Sequence, residues 1–178
     1  MQAGPWNWLE VAKLIAGFLT PVALGVFGIY VHRVTKRFEH LQWRSQKLVE
    51  KRLAVYDELA PHFNDLLCYF TYVGIWRDLD PPKIVKLKRI IDKKIYLAAP
   101  LFSTEFFSAC MAFQAVCYET YNDWGRDASL RTQSQRRREA RQADWKTEWD
   151  AYFSSSVANP AEVHHAYKAV MEVFAQDI

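Results

Sequence analysis

The sequence contains few of the residues from which disulfide frameworks and metal sites are built. Its 178 residues include only three cysteines, Cys68, Cys110 and Cys117. An odd number of cysteines at this low density implies no disulfide framework. The chain has no Cys-x-x-Cys pair, and the adjacent His164 and His165 would point to different sides of a helix. We therefore expect reduced, buried thiols, no metal site and no cofactor.

The sequence also lacks the short motifs of common catalytic and nucleotide-binding sites. It contains no GxxxxGK[ST], GxGxxG, HExxH or GxSxG, so it offers no P-loop, dinucleotide fingerprint, zincin helix or nucleophile elbow. Its acidic residues are scattered and form no recognisable metal cluster. The sequence thus indicates no small-molecule substrate. It favours a non-enzymatic role and leaves enzymatic activity undecided.

Charged residues are absent from Leu14 to Val31, an apolar run of eighteen residues. As a helix this run would be about 27 Å long, which is close to the roughly 30 Å hydrocarbon core of a bilayer. The pattern predicts a transmembrane helix. A cleavable signal peptide and a buried core helix remain as alternatives, although the first would need a basic leading segment and the second a polar stripe. The expected interfacial anchors are Trp6, Trp8, Lys13, Tyr30, Arg33, Lys36 and Arg37.

Positive charge is distributed unequally about this run. Before it lies only Lys13, which Glu10 offsets. The positive-inside rule therefore predicts that the N-terminus faces outward and that residues 33–178 are cytoplasmic. The basic residues after the run are Arg33, Lys36, Arg37, Arg44, Lys47, Lys51 and Arg52.

Small residues recur within the apolar run. Gly17, Pro21 and Gly25 are spaced by four, so they share one face of a helix. Helices in lipid associate through close backbone packing, which small residues permit. We read this face as a surface for self-association. The alternative is that glycine is simply common in membrane helices.

Glycine and proline are also absent between Gly28 and Pro61, which favours continuation of the same helix beyond the membrane. The apolar residues follow heptad spacing, so this segment is predicted to be amphipathic. Its seam would pack either between subunits or along the helix's own domain. The first series, Val34, Leu41, Leu48 and Val55, is fully apolar, and the second, Phe38, Ser45, Arg52 and Leu59, is apolar only at its ends.

Helical periodicity continues to the end of the chain, with no alternating β pattern. A core helix is predicted after Pro61, and a second one from residue 83 until Pro100. A third should run from the cap at Ser103 or Thr104 to Gly125 and be buried on all sides. The last should begin at the Asn159–Pro160 cap. Its core face is Val163, Tyr167, Val170 and Phe174, and an apolar stripe precedes it at Trp145, Trp149 and Phe153.

The fold class is therefore all-α. Residues 1–32 form a tail and a transmembrane helix, residues 33–60 an amphipathic helix, and residues 61–178 a cytoplasmic bundle of about five helices. Two basic groups in this bundle are either solvated surfaces or contacts for anionic lipid or nucleic acid. They comprise Lys86, Arg89, Lys93, Arg136, Arg137 and Arg138.

The stretch FEHLQWRSQKLVEKRLAVYDELAPHFNDLLCYF, residues 38–70, resembles an uncharacterised family of small bacterial membrane-anchored proteins. The resemblance extends more loosely to about residue 132. It implies a bacterial inner-membrane location, and it implies no function.

The layout of one apolar helix followed by a helical domain resembles small accessory proteins of type VI CRISPR systems. Those proteins join an N-terminal membrane helix to a HEPN-like domain and assemble into membrane pores. The similarity is one of length and element order. It implies a homo-oligomer that acts on membrane lipids in antiphage defence.

A further resemblance concerns the Arg-x(4–6)-His motif of HEPN nucleases, which Arg33 and His40 match with six residues between them. It implies that the histidine acts on a ribose hydroxyl and the arginine on phosphate. Val34 departs from the family pattern, in which a polar residue usually follows the arginine. A membrane-tethered RNase and an adaptor for a cytoplasmic protein or RNA partner are therefore the alternative functions.

Overall fold

The computed structural model describes residues 8–120 and 127–178, except for the side chains at positions 10, 20, 40 and 41. Trp6 and Gly125 lie outside the described residues. The described chain is mostly helical, as predicted. Its helices are α1 (Trp8–Thr71), α2 (Pro81–Ala98), α3 (Thr104–Cys117), α4 (Ser134–Arg141) and α5 (Pro160–Asp177). Two short antiparallel strands, β1 (Tyr118–Glu119) and β2 (Ser129–Leu130), pair with each other.

The chain divides into two compact units, Met1–Lys47 and Leu48–Ile178. The first contains the exposed, largely apolar part of α1. The second contains the remainder of α1 and all the other elements. The predicted boundary of the bundle was residue 61, so residues 48–60 of the predicted amphipathic helix belong to the second unit.

Helix α1 continues through Pro61, where the sequence predicts a new helix, and ends at Thr71. A proline within a helix removes one backbone hydrogen bond and costs about 3 kcal/mol. Leu59 and Phe63 on either side of it are fully buried, and their burial offsets this cost. The helix ends where Tyr72 takes a positive φ of 61°.

The core of the second unit lies between the end of α1 and helices α2, α3 and α5. Aromatic rings from three helices meet there. The ring centroids of Phe63 and Phe113 lie 5.6 Å apart, and those of Phe106 and Phe174 lie 4.7 Å apart. On α2 the predicted core residues Ile84, Ile91, Ile95 and Ala98 are buried and Leu87 is half-buried.

Two predicted helix starts are confirmed by their hydrogen bonds. The hydroxyl of Ser103 accepts a hydrogen bond from the backbone N–H of Phe106 at 3.2 Å, which caps α3. The side chain of Asn159 accepts one from the N–H of Ala161 at 2.9 Å, which caps α5. Local side-chain chemistry therefore sets both boundaries.

The predicted end of α3 is wrong. The helix ends at Cys117, and Tyr118 enters strand β1 opposite Leu130. The buried hydroxyl of Tyr118 donates a hydrogen bond to the carbonyl of Ile84 at 2.9 Å. An apolar run gives no periodicity that separates a buried helix from a buried strand, so only the pairing with β2 fixes this boundary.

The predicted aromatic stripe is retained without a regular α-helix. Residues Gln142–Asp144 and Thr147–Tyr152 form short 3-10 turns. The ring of Trp145 still lies 5.4 Å from Trp149 and 5.9 Å from Phe153, measured between centroids. Trp149 is buried, whereas the other two are half-buried.

Candidate functional site

The apolar part of α1 has no described neighbour that covers it. From Leu14 to Val31 every described side chain is exposed. Among the described residues, α1 is the one helix long and apolar enough to cross a membrane. Each large apolar side chain left in water forgoes about 1.5–3 kcal/mol of burial free energy. These side chains are Leu14, Ile15, Phe18, Leu19, Val22, Leu24, Val26, Phe27, Ile29, Tyr30 and Val31.

The predicted anchors bracket this apolar surface. Trp8 and Lys13 are exposed at one end, while Arg33, Lys36 and Arg37 are exposed beyond the other. Exposure leaves the long cationic side chains able to extend toward an interface. Trp6 is the one predicted anchor that falls outside the described residues.

The predicted association face is open. Apart from the adjoining backbone of the helix itself, a Cβ atom added at Gly17 or Gly25 would meet no atom within 4 Å, and Pro21 between them is exposed. Gly28 also has open space around it. Gly28 follows Gly25 by three residues, so it lies on the same face of the helix. A search for residues spaced by four does not find it.

The two residues of the predicted catalytic pair lie in the single helix α1. Arg33 is exposed on α1, and the backbone of His40 lies in the same helix. Seven residues correspond to about 10.5 Å along a helix axis. The side chain of His40 lies outside the described residues, so this pair stays a prediction.

The predicted basic groups separate into buried, paired and exposed cations, and Arg137 is the buried one. Its side chain is only 3% exposed. The guanidinium donates hydrogen bonds to the backbone carbonyl of Tyr69 and, at 3.2 Å, to the hydroxyl of Thr132. Arg137 is therefore withdrawn from the predicted lipid or nucleic-acid contact, because packing encloses it.

Aromatic rings surround the buried guanidinium. Its central carbon lies 3.4 Å from the ring centroid of Tyr69, 4.8 Å from Tyr72 and 5.6 Å from Trp76. No acceptor among the described residues reaches its Nε or Nη1 atoms. Burial lowers the pKa of Arg137 and raises that of Tyr69. The rings and the backbone carbonyl of Tyr69, near the end of α1, thus take the place of a carboxylate partner.

The two neighbouring arginines are exposed but have partners. The guanidinium of Arg138 lies 2.5 Å from a carboxylate oxygen of Asp150, and this ion pair raises the pKa of Arg138. The guanidinium of Arg136 lies over the ring of Tyr72, 4.2 Å from its centroid. An external anion would have to compete with these contacts.

On α2 the three predicted contact residues also differ. Arg89 makes a two-pronged contact with Asp127, at 3.2 Å and 2.6 Å. Lys86 and Lys93 are exposed, and the structure gives them no ion pair with a described residue. The two lysines are thus the cations of the predicted set that are both exposed and uncommitted.

Sequence reasoning overlooked the apolar residues beside these lysines. Ile90 is 45% exposed, Tyr96 63% and Leu97 69%. The signal was available, because none of the three falls on the core face of α2 that Ile84, Ile91 and Ile95 define. We call Lys86, Ile90, Lys93 and Leu97 the α2 stripe.

Sequence reasoning also missed the role of Arg52. In the sequence it is one of the polar members of the second heptad series. Its guanidinium donates hydrogen bonds to the carbonyls of Leu101, at 2.6 Å, and of Asp177 near the end of α5, and it lies over the ring of Phe102. An arginine at a position of the heptad seam was the available signal for such a part-buried contact.

The described residues offer little for catalytic chemistry. They contain no group of three His, Cys, Asp or Glu side chains that could hold a metal ion. A cavity of about 690 Å³ near the start of α4 is lined by polar side chains that include Thr132, Arg136 and Glu139. Comparisons of the chain with protein-family models, with curated proteins and with solved structures find no match.

Proposed function

We propose that the protein is a non-enzymatic, single-pass membrane protein anchored through Leu14–Val31 of α1. The observation that carries this proposal is the continuous exposure of an uncharged helix surface of bilayer length. Lipid tails would cover that surface. They offer no hydrogen bonds, but a helix needs none from them because its backbone groups pair within the helix. The helical unit Leu48–Ile178 then forms the soluble part of the protein.

The proposed orientation places the N-terminus outside and the soluble unit in the cytoplasm of a bacterial inner-membrane protein. The exposed Arg33, Lys36 and Arg37 support it, since basic residues accumulate on the cytoplasmic side. A reporter fused to the C-terminus should be active only if it functions in the cytoplasm. Activity of a reporter that requires the periplasm would overturn this orientation.

Anchorage is tested by placing charges in the middle of the apolar segment. In Leu19→Arg/Leu24→Arg, each arginine costs about 2.5–3.5 kcal/mol of insertion free energy. We expect this variant to leave the carbonate-resistant membrane fraction. Leu48→Arg/Leu53→Arg is the matched control, because these exposed leucines lie on the same helix outside the apolar segment. If both variants stay in the membrane fraction, the proposal fails.

Copies of the chain are further proposed to associate through the open face of Gly17, Pro21 and Gly25. The resemblance to pore-forming accessory proteins extends this to a membrane-perturbing effector in antiphage defence. A ring-sized oligomer that depolarises cells would support this role. A monomer that cleaves RNA would favour the tethered HEPN-like RNase, and a monomer with neither activity would favour an adaptor that holds a cytoplasmic partner at the membrane.

A further inference from the structure

The α2 stripe combines exposed positive charge with exposed aliphatic surface. Lys86, Ile90, Lys93 and Leu97 follow one another at intervals of four, three and four residues, so they lie on one narrow face of the helix. From Lys86 to Leu97 this face is about 16 Å long. No acidic residue of α2 falls on it.

The other cations of α2 are engaged within the protein. Lys83 pairs with Asp80 at 2.8 Å and Lys88 with Asp92 at 2.6 Å. Lys94 contacts Glu58, and Arg89 contacts Asp127. The protein therefore neutralises its cations around the stripe and leaves those on the stripe exposed.

The two apolar residues of the α2 stripe distinguish between nucleic acid and an anionic lipid surface as its ligand. Ile90 and Leu97 are aliphatic and more than two-fifths exposed. Nucleic acids are held by phosphate contacts and by aromatic stacking, and aliphatic side chains contribute little to either. At a lipid surface, aliphatic side chains enter the headgroup boundary while lysines meet anionic headgroups. Tyr96, beside the stripe, has the amphipathic ring that is enriched at such interfaces.

We propose that the α2 stripe is a contact site for an anionic lipid surface. The inference rests on the proposed membrane anchorage, which keeps the second unit near a bilayer and so raises the effective concentration of headgroups. Lys86 and Lys93 supply the electrostatic attraction, and Ile90 and Leu97 supply apolar contact. The contact would hold the soluble unit against the membrane in addition to the α1 anchor.

The test measures lysine accessibility in the full-length protein. The chain is reconstituted in vesicles of zwitterionic lipid alone or with about a third of phosphatidylglycerol, and its lysines are acetylated and quantified by mass spectrometry. We expect acetylation of Lys86 and Lys93 to slow about fivefold or more in the anionic vesicles, and high salt to remove the effect. Lys168, which is exposed on α5, is the internal reference and should not change.

Two further measurements make the outcome decisive. Ile90→Gln/Leu97→Gln should reduce the protection of both lysines while it leaves Lys168 unchanged. Equal acetylation in the two lipid compositions would overturn the proposal. Protection by added single-stranded RNA in neutral vesicles, without protection by anionic lipid, would overturn it in favour of nucleic acid.

Slow acetylation that is independent of lipid composition would also overturn it, because a protein partner or second copy would then cover the stripe. Lysine acetylation is measured in these vesicles independently of carbonate extraction, which tests whether α1 is embedded in the bilayer. Failure of the anchorage and failure of the stripe are therefore distinguishable.

Discussion

The guanidinium of Arg137 lies over the ring of Tyr69, 3.4 Å from the ring centroid, and donates a hydrogen bond to the backbone carbonyl of the same tyrosine. One residue of α4 thereby fixes the C-terminal end of α1, where carbonyl groups lack helical partners. The contact is formed without a carboxylate. Its strength depends on the aromatic rings and the end of α1, which stand where a carboxylate would otherwise be expected.

Replacement of Arg137 tests this contact. Arg137→Ala should lower the free energy of unfolding by about 2–4 kcal/mol, because it leaves a cavity and an unpaired carbonyl. Arg137→Met should cost less, since apolar replacement of a buried charge is often nearly neutral. Denaturant unfolding in detergent measures both. Arg136→Ala, at an exposed position, should change stability by about 0.5 kcal/mol, and an equally small effect of Arg137→Ala would contradict the assignment.

Asp80 links stability to acid pH. Burial opposes ionisation, but hydrogen bonds from Lys83 and Arg141 outweigh it and lower the pKa of Asp80 from its ordinary value of 3.8. The stabilisation is therefore present above about pH 4 and is lost as pH falls through the lowered pKa. Asp80→Asn should be about 1 kcal/mol less stable at neutral pH, and the difference should shrink below about pH 4.

Asp65 is the control for this measurement, because its pKa is shifted in the opposite direction to that of Asp80. Burial raises its pKa, so its charged form is disfavoured in the folded protein. Asp65→Asn should therefore be no less stable than the wild type at neutral pH. Melting temperatures of the three proteins between pH 7 and pH 3 decide the point, and a constant deficit for Asp80→Asn would refute the linkage.

The cysteines should differ in their reactivity. Burial raises the pKa of Cys110 from 9.0 to about 12 and raises that of Cys117 as well. At pH 8 this reduces the reactive thiolate of Cys110 about a thousandfold. We expect maleimide to modify the half-buried Cys68 first and the other two only after denaturation. Mass spectrometry of timed reactions checks the order, and early labelling of Cys110 would contradict its burial.

Enlargement of the small residues of α1 tests self-association. Gly17→Leu/Gly25→Leu should shift detergent-solubilised protein toward smaller species, because added side chains keep the helix backbones apart. Ala16→Leu/Ala23→Leu adds similar bulk on other faces of α1 and serves as the control. Size measurement by light scattering reads both variants. Unchanged size in the glycine variant would remove this face from the proposed interface.

Much of the helical organisation could be predicted because it depends on near neighbours. The caps at Ser103 and Asn159 and the core periodicity of α5 are local properties, and each is confirmed. Helix α2 is predicted from residue 83 but begins two residues earlier, at Pro81. Pro61 shows the limit of such reasoning. A local helix breaker is tolerated there because burial of Leu59 and Phe63 by distant helices outweighs its cost.

The basic residues also show the difference between what local sequence predicts and what distant contacts decide. Residues 136–138 are three consecutive arginines and read alike in sequence, yet one is buried, one pairs with Asp150 and one lies over Tyr72. Likewise, Asp127 engages Arg89 and leaves Lys86 and Lys93 exposed. Nothing in the spacing of these residues distinguishes them, because their partners come from remote parts of the chain.

The sequence by itself determined the apolar segment of α1, its basic flank and the all-α character of the chain. These follow from composition and periodicity, which act along one helix. Only the tertiary structure decided that β1 ends the predicted long helix, that Arg137 lies inside and that Asp127 pairs with Arg89 rather than with Lys86 or Lys93. Burial, ring contacts and ion pairs join residues far apart in the chain, so their outcome is set by packing and cannot be read from local pattern.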